Sequence, residues 1–460
     1  MFSQGFWTKN LKSTKPPLST VTYMRQVCPL LLLFLLIASS LCCLAPAQCS
    51  TLVGGLISSD VTWSRADSPY VLTGPVGVTA GASLTIEPGV TVDFASYYIQ
   101  VNGTLTAKGR GSEPITFTCN GKWWSAVSYI EFMHTSTPYS EQTDSGCIIE
   151  NTLLNITTVR IRDCSPKIGS NTFENPSAIA VDAQGGAPII FGNTINCRLC
   201  GGITASGSAT VAKNFVNSSG YIYGIQAQGN VAILSNRVVN CWVGVTATST
   251  CSLLSNVILG CYDTGLSLSG SSVDVRGNYI SGNLKNGIVG GGKIEFNTII
   301  DNGVGIKNPT AVSIIKNNNI MGNSQSSIFL DTADNIDAKN NWWGTTDESA
   351  IAASIHDNKN DYNAGIVTYV PYLTSESTGA PSSPGEAANP TTQPQPTDVT
   401  LPTPTDDTQN TQPPDNSSSV GNQSSGSNET FDMNTIVLVA VVVAVLVMSI
   451  GAVVLLVKKK

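Results

Sequence analysis

The sequence predicts an all-β fold, a right-handed single-stranded parallel β-helix of about 21–22 residues per coil, and three observations predict it. First, an apolar-x-x-Asn-x-apolar unit recurs at Asn193 ("IFGNTI"), Asn214 ("VAKNFV"), Asn236 ("ILSNRV"), Asn256 ("LLSNVI"), Asn278 ("VRGNYI"), Asn297 ("IEFNTI"), Asn318 ("IKNNNI") and Asn340 ("AKNNWW"). Second, a Gly-apolar pair keeps step about nine residues later, as Gly202-Ile203, Gly224-Ile225, Gly244-Val245, Gly265-Leu266, Gly287-Ile288 and Gly305-Ile306. Third, the residues between are Val, Ile, Thr, Asn and Gly in bursts of three to five that alternate with period 2, and no window has helical spacing. A leucine-rich repeat of similar period needs a fixed Leu skeleton and a helical or 3₁₀ segment, and neither is present.

Each element follows from the repeat. Coils stacked at the inter-strand spacing of ~4.8 Å bring equivalent residues into columns. A column of asparagines at a turn then forms an amide ladder, so these asparagines are expected to be structural. Asn171 with Ala178-Ile179 is an earlier copy. The expected rod has ~13 coils and a length of ~60 Å by the same spacing. Both of its ends need cover, because an open sheet edge invites pairing with other chains. At the C-terminal end Glu348–Asp357 has the spacing of a short helix and "IVTYVPYL" is extended, with Trp342 and Trp343 plugging the last coil.

The two ends of the chain differ in kind. Residues 1–23 read as an upstream extension or mis-assigned start. Residues 24–47, "MRQVCPLLLLFLLIASSLCCLAPA", read as a secretory signal peptide. The β-helix ectodomain is expected over 48–373: first coils 52–130, regular repeats 166–343, cap 344–373. Residues 374–433 are Pro, Thr, Ser, Asn, Gln and Gly with hardly an aromatic, a composition that reads as a disordered stalk. Residues 435–457 form an uncharged apolar run long enough for a transmembrane helix, and Lys458, Lys459 and Lys460 give a basic cytoplasmic stop. The expected product is a single-pass type I protein of the cell surface. Its net charge of −7 leaves no basic stripe for nucleic acid.

The chain resembles the right-handed parallel β-helix proteins of the pectate-lyase-like superfamily, in the branch related to NosD proteins and microbial surface proteins. The resemblance is carried by "SLTIEPGVTVDF" and "IQVNGTLTAKGRGSEPITFT", by the Asn-x-Ile and Gly-Ile columns, and by "KNNWWGTTDESAIAASIHDNKNDYNAGIVTYVPYLT". It implies the fold. It leaves the activity open, since lyases, hydrolases, epimerases and binding proteins share this scaffold.

Catalytic patterns are sparse. Glycoside hydrolysis needs converging carboxylates, yet the sole Asp-Asp pair, Asp406-Asp407, falls in the stalk, and only His134 and His356 are present. Elimination needs an arginine base and acidic ligands for Ca²⁺. The candidates are Arg160 and Arg162 on one strand face, with Asp163 pointing opposite; a solvated strand face is the plainer reading. Otherwise no cofactor and no metal are expected, although His356 with Asp347, Glu348 and Asp357 is an alternative metal or acid/base group. Asp274 and Lys293 should be adjacent across coils and form an ion pair. Cys197-x-x-Cys200 lacks a second pair at zinc spacing.

Cys241 and Cys261 share a column and form either a disulfide or a stack of buried thiols. Trp242 and Tyr262 share the next one. Facing inward they are core, which is the expectation; facing outward they are a sugar-stacking platform. Asn102, Asn155, Asn217, Asn416, Asn422 and Asn428 begin N-glycosylation sequons. The sequence thus points to a non-catalytic carbohydrate-binding, adhesive or cell-envelope module with an extracellular glycan partner. A polysaccharide lyase or epimerase is the alternative, and a NosD-like metal-centre maturation factor a weaker one.

Overall fold

The computed structural model describes residues 50–119, 128–198, 200–220, 222–270 and 272–388. Within them the chain winds into a three-faced parallel β-solenoid. One coil shows the pattern: Ser252–Leu254 lies on the first face, Val257–Leu259 on the second and Thr264–Ser269 on the third. Every strand pairs in parallel with its counterpart one coil away, as Ser252–Leu254 does with Ala232–Leu234 and Asp274–Arg276. The first face carries twelve strands, from Val61–Trp63 to Ile314–Lys316. That is one coil fewer than the sequence suggests, because part of the chain is spent on a loop between Phe132 and Ile148.

Period-2 alternation sends one set of side chains inward on each face. Ile233, Leu253 and Val275 stack on the first face, Val238, Ile258 and Ile280 on the second, Val245, Leu266 and Ile288 on the third, all fully buried. Burying such a side chain contributes about 1.5–3 kcal/mol, so these stacks are the main cohesive term.

The corner between the first and second faces explains the Asn repeat. A residue in the left-handed conformation turns the chain, as at Ser235 (φ 52°), Ser255 (φ 59°) and Gly277 (φ 64°), and the next residue is a ladder asparagine. Asn256 is representative. Its Nδ2 donates to Asn278 Oδ1 (3.0 Å) and Ile233 O (2.8 Å), and its Oδ1 accepts from Asn236 N (2.9 Å) and Asn236 Nδ2 (3.0 Å). Both donors and both lone-pair directions of a buried amide are satisfied. The ladder runs through Asn171, Asn193, Asn214, Asn236, Asn256, Asn278, Asn297, Asn318 and Asn341.

One rung differs from the sequence reading. Asn340 is the left-handed corner residue (φ 58°), and Asn341 accepts from Asn318 N and Nδ2, both at 2.9 Å. Two adjacent asparagines suit both positions equally, so spacing alone picked the wrong one. Asn340→Gly is therefore expected to leave the melting temperature unchanged or slightly raised, because glycine takes positive φ freely. Asn341→Ala should lower it by several degrees. Equal losses from the two substitutions would refute this register.

The ends are covered as expected, with corrections. At the N-terminal end Thr51–Ile57 pairs with Tyr70–Val78, and Trp63 stacks on Tyr70 (4.9 Å). At the other end Asp347 caps the helix Glu348–Ala353, accepting from Ser349 N and Ala350 N. Trp343 turns inward against Tyr369, whereas Trp342 is only half-buried. His356 is the last rung of the third face, stacked on Phe329 (4.3 Å). Asp357 accepts from Lys359 N and Val367 N, so it holds the cap loop.

The segment after residue 373 does not leave the solenoid at once. Ser377 N donates to Asn319 Oδ1 (2.8 Å), Thr298 Oγ1 donates to Pro381 O (2.5 Å), and a short helix, Pro384–Ala388, packs beside Val257–Leu259. This strap buries Val257, Thr298 and Asn319, which point outward from the second face. The expected stalk therefore begins no earlier than residue 389. The expected signal peptide, the stalk beyond residue 388, the apolar run 435–457 and the sequons at Asn416, Asn422 and Asn428 lie outside the described residues. Among the described residues no helix is long and apolar enough to cross a membrane.

Candidate functional site

The corner between the second and third faces is built by the same device as the Asn corner. Left-handed residues turn the chain at Ile156 (φ 59°), Asn175 (φ 46°), Asn240 (φ 59°), Gly260 (φ 63°), Gly282 (φ 67°), Asp301 (φ 56°), Gly322 (φ 65°) and Gly344 (φ 83°). The residue after most of them turns inward, as Cys241, Cys261, Asn283 and Asn302 do, and the residue two steps on, as at Trp242, Tyr262 and Leu284, belongs to an outward edge along the rod. Towards its N-terminal end this edge opens into a cleft of about 840 Å³ lined by Asn155, Ile156, Asn175, Pro176, Ser177, Arg198, Cys200 and Ser219. Amides and hydroxyls dominate its polar lining. Beside it the outward column Asn155, Glu174, Asn196, Asn217 is linked by Asn196 Nδ2 to Glu174 Oε1 (2.8 Å).

The next coils of the edge carry the aromatic pair. Tyr262 is 47% exposed and Leu284, one coil on, 69%, while Trp242 is half-buried. Tyr262 N donates to Cys241 O (2.8 Å) and Leu284 N to Cys261 O (2.9 Å), which places the three in one column. Expected as core, this column instead faces out. The reason is the corner geometry: the residue one step earlier turns inward, and it is the cysteine. Cys241 and Cys261 are separate, fully buried thiols with no disulfide between them. Burial pushes the Cys261 thiol up to about 12, so it stays protonated and inert. Their column continues as a second amide ladder, in which Cys261 N donates to Asn283 Oδ1 (2.9 Å) and Asn283 Nδ2 to Asn302 Oδ1 (2.8 Å). Lys285 pairs with Asp263 (2.5 Å) and lies 5.5 Å from the Trp242 ring.

Arg160 and Arg162 do share the outer side of their strand, Thr158–Arg162, whose alternate residues Val159 and Ile161 are buried. Arg160 sits between Glu131 and Asp182 of the neighbouring coils and lies over the Tyr129 ring (3.9 Å), which itself stacks on Tyr98 (4.7 Å). Arg162 bonds Asp182 (2.8 Å) and approaches Glu131 (3.6 Å). Asp163 lies past the strand end at a left-handed turn (φ 52°), where its carboxylate packs over Gly185, so it takes no part in this group. Burial, with Glu131 adding to it, pushes the Tyr129 hydroxyl up.

A second ionic cluster escaped the sequence reading. Lys167 is 8% exposed and bonds Glu150 (2.8 Å); Asp144 bonds Lys108 and accepts from the Tyr139 hydroxyl (3.1 Å). Together they pin the loop between Phe132 and Ile148 onto the first face. Burial alone raises the Asp144 carboxyl, but the Lys108 hydrogen bond and charge, the Tyr139 hydroxyl and Lys167 outweigh it and hold the carboxyl below its ordinary value. A carboxyl lowered by folding stabilises the fold above its unfolded pKa, and that contribution is lost as pH falls through the lower folded value. Amide exchange of this loop is therefore expected to accelerate at pH below the ordinary carboxylate range, and Lys108→Met should move that onset to higher pH. An onset indifferent to Lys108 would contradict this account.

Asp274 and Lys293 are register partners as expected. The ion pair is different, however: Asp274 bonds Arg276 (2.7 Å), and Lys293 bonds Glu295 (3.1 Å), which Lys316 also meets (3.3 Å). Three of the sequons fall on described residues. Asn155 lines the cleft, Asn217 Oδ1 accepts from Asn240 Nδ2 (3.0 Å), and Asn102 Oδ1 accepts from Thr135 Oγ1 (3.2 Å). Among the described residues no group of three or more His, Cys, Asp or Glu side chains comes together as metal ligands do.

Fold and edge together define a three-faced parallel β-solenoid carrying, on one corner, a cleft and an outward column with exposed Tyr262 and Leu284. No family model matches the chain. "Protein bark beetle" of Drosophila melanogaster is 48% identical over 65 residues, which are 14% of this chain and 2% of that protein, so the chain spans a very small part of this relative's length. Among solved structures, a single-substitution variant of the periplasmic alginate epimerase AlgG is 13% identical, with 70% of this chain and 83% of that chain covered and a TM-score of 0.46. The unsubstituted AlgG gives the same identity and coverage with a TM-score of 0.32.

Proposed function

We propose that the protein is a non-catalytic carbohydrate-binding β-helix, held at the cell surface by the apolar run 435–457, and that glycan docks on the corner between its second and third faces. The observation that carries this reading is the outward Tyr262 column beside a cleft lined by amides and hydroxyls. Sugar rings present C–H faces that stack on aromatics and hydroxyls that bond amides. The test is a screen of the immobilised full-length chain against neutral and acidic oligosaccharides. Tyr262→Ala is expected to weaken the best ligand about 5-fold, or ~1 kcal/mol. Unchanged affinity would move the site elsewhere, and no binding by any oligosaccharide would sink the reading.

A second reading, a polysaccharide lyase or epimerase, is favoured by one observation: the outward group of Arg160, Arg162, Glu131, Asp182 and Tyr129. Opposite charges alternating across coils are also what a surface ion ladder looks like, and such pairs contribute only about 0–1 kcal/mol when exposed. Release of unsaturated uronate ends from any acidic polysaccharide would establish the lyase, and inversion at uronate C5 without chain cleavage the epimerase, either one abolished by Arg160→Gln.

A further inference from the structure

The Cys197-x-x-Cys200 pair meets the cleft at the corner between the second and third faces. Thr194–Cys197 is the second-face strand of its coil and Gly201–Gly207 the third-face strand, so the two cysteines bracket the corner itself. Both are buried thiols, yet their surroundings differ. Cys200 is part of the cleft wall, together with Arg198 and Ser219, whereas Cys197 does not line it. The Cys200 carbonyl accepts from Ser218 Oγ (3.0 Å), which fixes the backbone of this wall. The Cys197 Sγ donates to Gly201 O (3.4 Å), and the Cys197 thiol is also a hydrogen-bond partner of the Cys200 side chain. That contact makes the two sulfurs unequal, because a thiol that donates to a neighbouring sulfur favours the thiolate there and keeps its own proton. The Cys200 hydrogen bond, with burial and the neighbouring Cys200, Cys241 and Glu174 adding to it, pushes the Cys197 thiol far up. Cys200 therefore ionises first, on the wall it shares with Arg198. The deeper thiols of Cys241 and Cys261 are fully buried and line no part of the cleft.

We propose that Cys197 and Cys200 form a thiol–disulfide exchange centre that opens onto the cleft and takes a low-molecular-weight disulfide as its oxidant. The Cys200 thiolate attacks one sulfur of the incoming disulfide: a bond to the Cys200 sulfur forms, the S–S bond of the oxidant breaks, and one thiolate leaves. The Cys197 proton passes to the departing thiolate. Cys197 then attacks the Cys200 sulfur and expels the second half of the oxidant, which takes its proton from water. Two protein thiols are oxidised to one disulfide while one disulfide is reduced to two thiols. Closure ties the end of the second-face strand to the start of the third-face strand, so the oxidation state is set in the wall of the cleft. The proposal is independent of what else the cleft binds.

The experiment incubates the reduced, folded full-length chain with glutathione disulfide, quenches with acid, alkylates the remaining thiols under denaturing conditions and digests with trypsin without reduction. Trypsin cuts after Arg198, between the two cysteines, and gives peptides 168–198 and 199–213 with one cysteine each. These peptides are expected to remain joined by a disulfide, while Cys241 and Cys261 carry only the alkylating group. Cys197→Ser should retain one glutathione on Cys200, because the resolving thiol is gone. Cys200→Ser should take up glutathione at Cys197 about 10-fold more slowly or not at all, since that thiol stays protonated away from the cleft. Separate, fully alkylated peptides from the unaltered chain overturn the proposal whether or not the variants fold. So does equal oxidation of Cys241 and Cys261, which would mean that the thiols react only after the coils open, and so does faster modification of Cys197 than of Cys200.

Discussion

Gly265→Ala is expected to cost about 4 kcal/mol or more, enough to prevent recovery of folded protein at ordinary temperature. A methyl group on Gly265 would lie 2.7 Å from the carbonyl oxygen of Gly287, 2.8 Å from Asn283 Nδ2 and 3.0 Å from Ile280 Cγ2. The first of these is backbone of the next coil and cannot swing aside. Nor can that coil retreat, because Gly287 stands 2.7 Å by the same measure from Gly305 O, and Gly305 2.5 Å from Ser327 O. The column locks itself: each glycine exists so that the next carbonyl can approach. Gly282→Ala makes the contrast. Its φ of 67° disfavours a side chain, but the nearest atom to the new methyl is 3.9 Å away, so a loss of about 1–2 kcal/mol is expected from backbone conformation alone. Urea melts of the two variants separate the mechanisms. Similar losses would mean that close approach is not what the Gly-Ile repeat encodes.

That repeat was legible because its cause is periodic. Any residue dictated by the neighbouring coil recurs at the coil period, which is why the Asn ladder, the Gly column and the inward Ile and Val stacks could be read from spacing. The misplacements have equally local causes. Asn340 and Asn341 are adjacent and chemically identical, so a spacing tolerance of one residue exchanged ladder for corner. Trp242 and Tyr262 were expected inside because period-2 alternation does not hold through a left-handed corner, where two consecutive residues can change sides.

The Arg160 group was half visible. Asp182 lies one coil after Arg160 and could have been found by register, but Glu131 is reached from the other side, across the masking effect of an irregular coil. Lys108, Asp144, Glu150 and Lys167 were out of reach, since the loop before Ile148 breaks the period and the two lysines stand in columns two residues apart. The strap after residue 373 has the composition of a linker, and only the outward apolar and amide residues it covers, Val257 and Asn319, hinted at a need for cover.

The amide ladder offers the sharpest test of what holds the coils in register. Asn256→Leu replaces the amide by an apolar group of similar size, and so removes the acceptor of Asn236 N and Asn236 Nδ2 and the donor to Ile233 O. All these groups are buried and out of reach of water, and a buried group left unsatisfied costs about 1–3 kcal/mol, so a total of about 3–5 kcal/mol is expected. Asn256→Asp distinguishes hydrogen bonding from shape. It keeps an acceptor for Asn236, but where Nδ2 donated it places an oxygen against Ile233 O and Asn278 Oδ1. Ionised, that oxygen is repelled by both; protonated, its O–H can donate to one of them. Folding therefore favours the neutral acid and raises the folded pKa above the unfolded value. Stability contributed by a neutral buried acid is present below the unfolded pKa and is lost as pH rises through the folded one. The Asp variant should accordingly approach the parent's stability near pH 4 and fall well below it at pH 7, while the Leu variant should show the same deficit at both. A pH-independent loss in the Asp variant would mean that the column is held by packing and not by its chain of amide bonds.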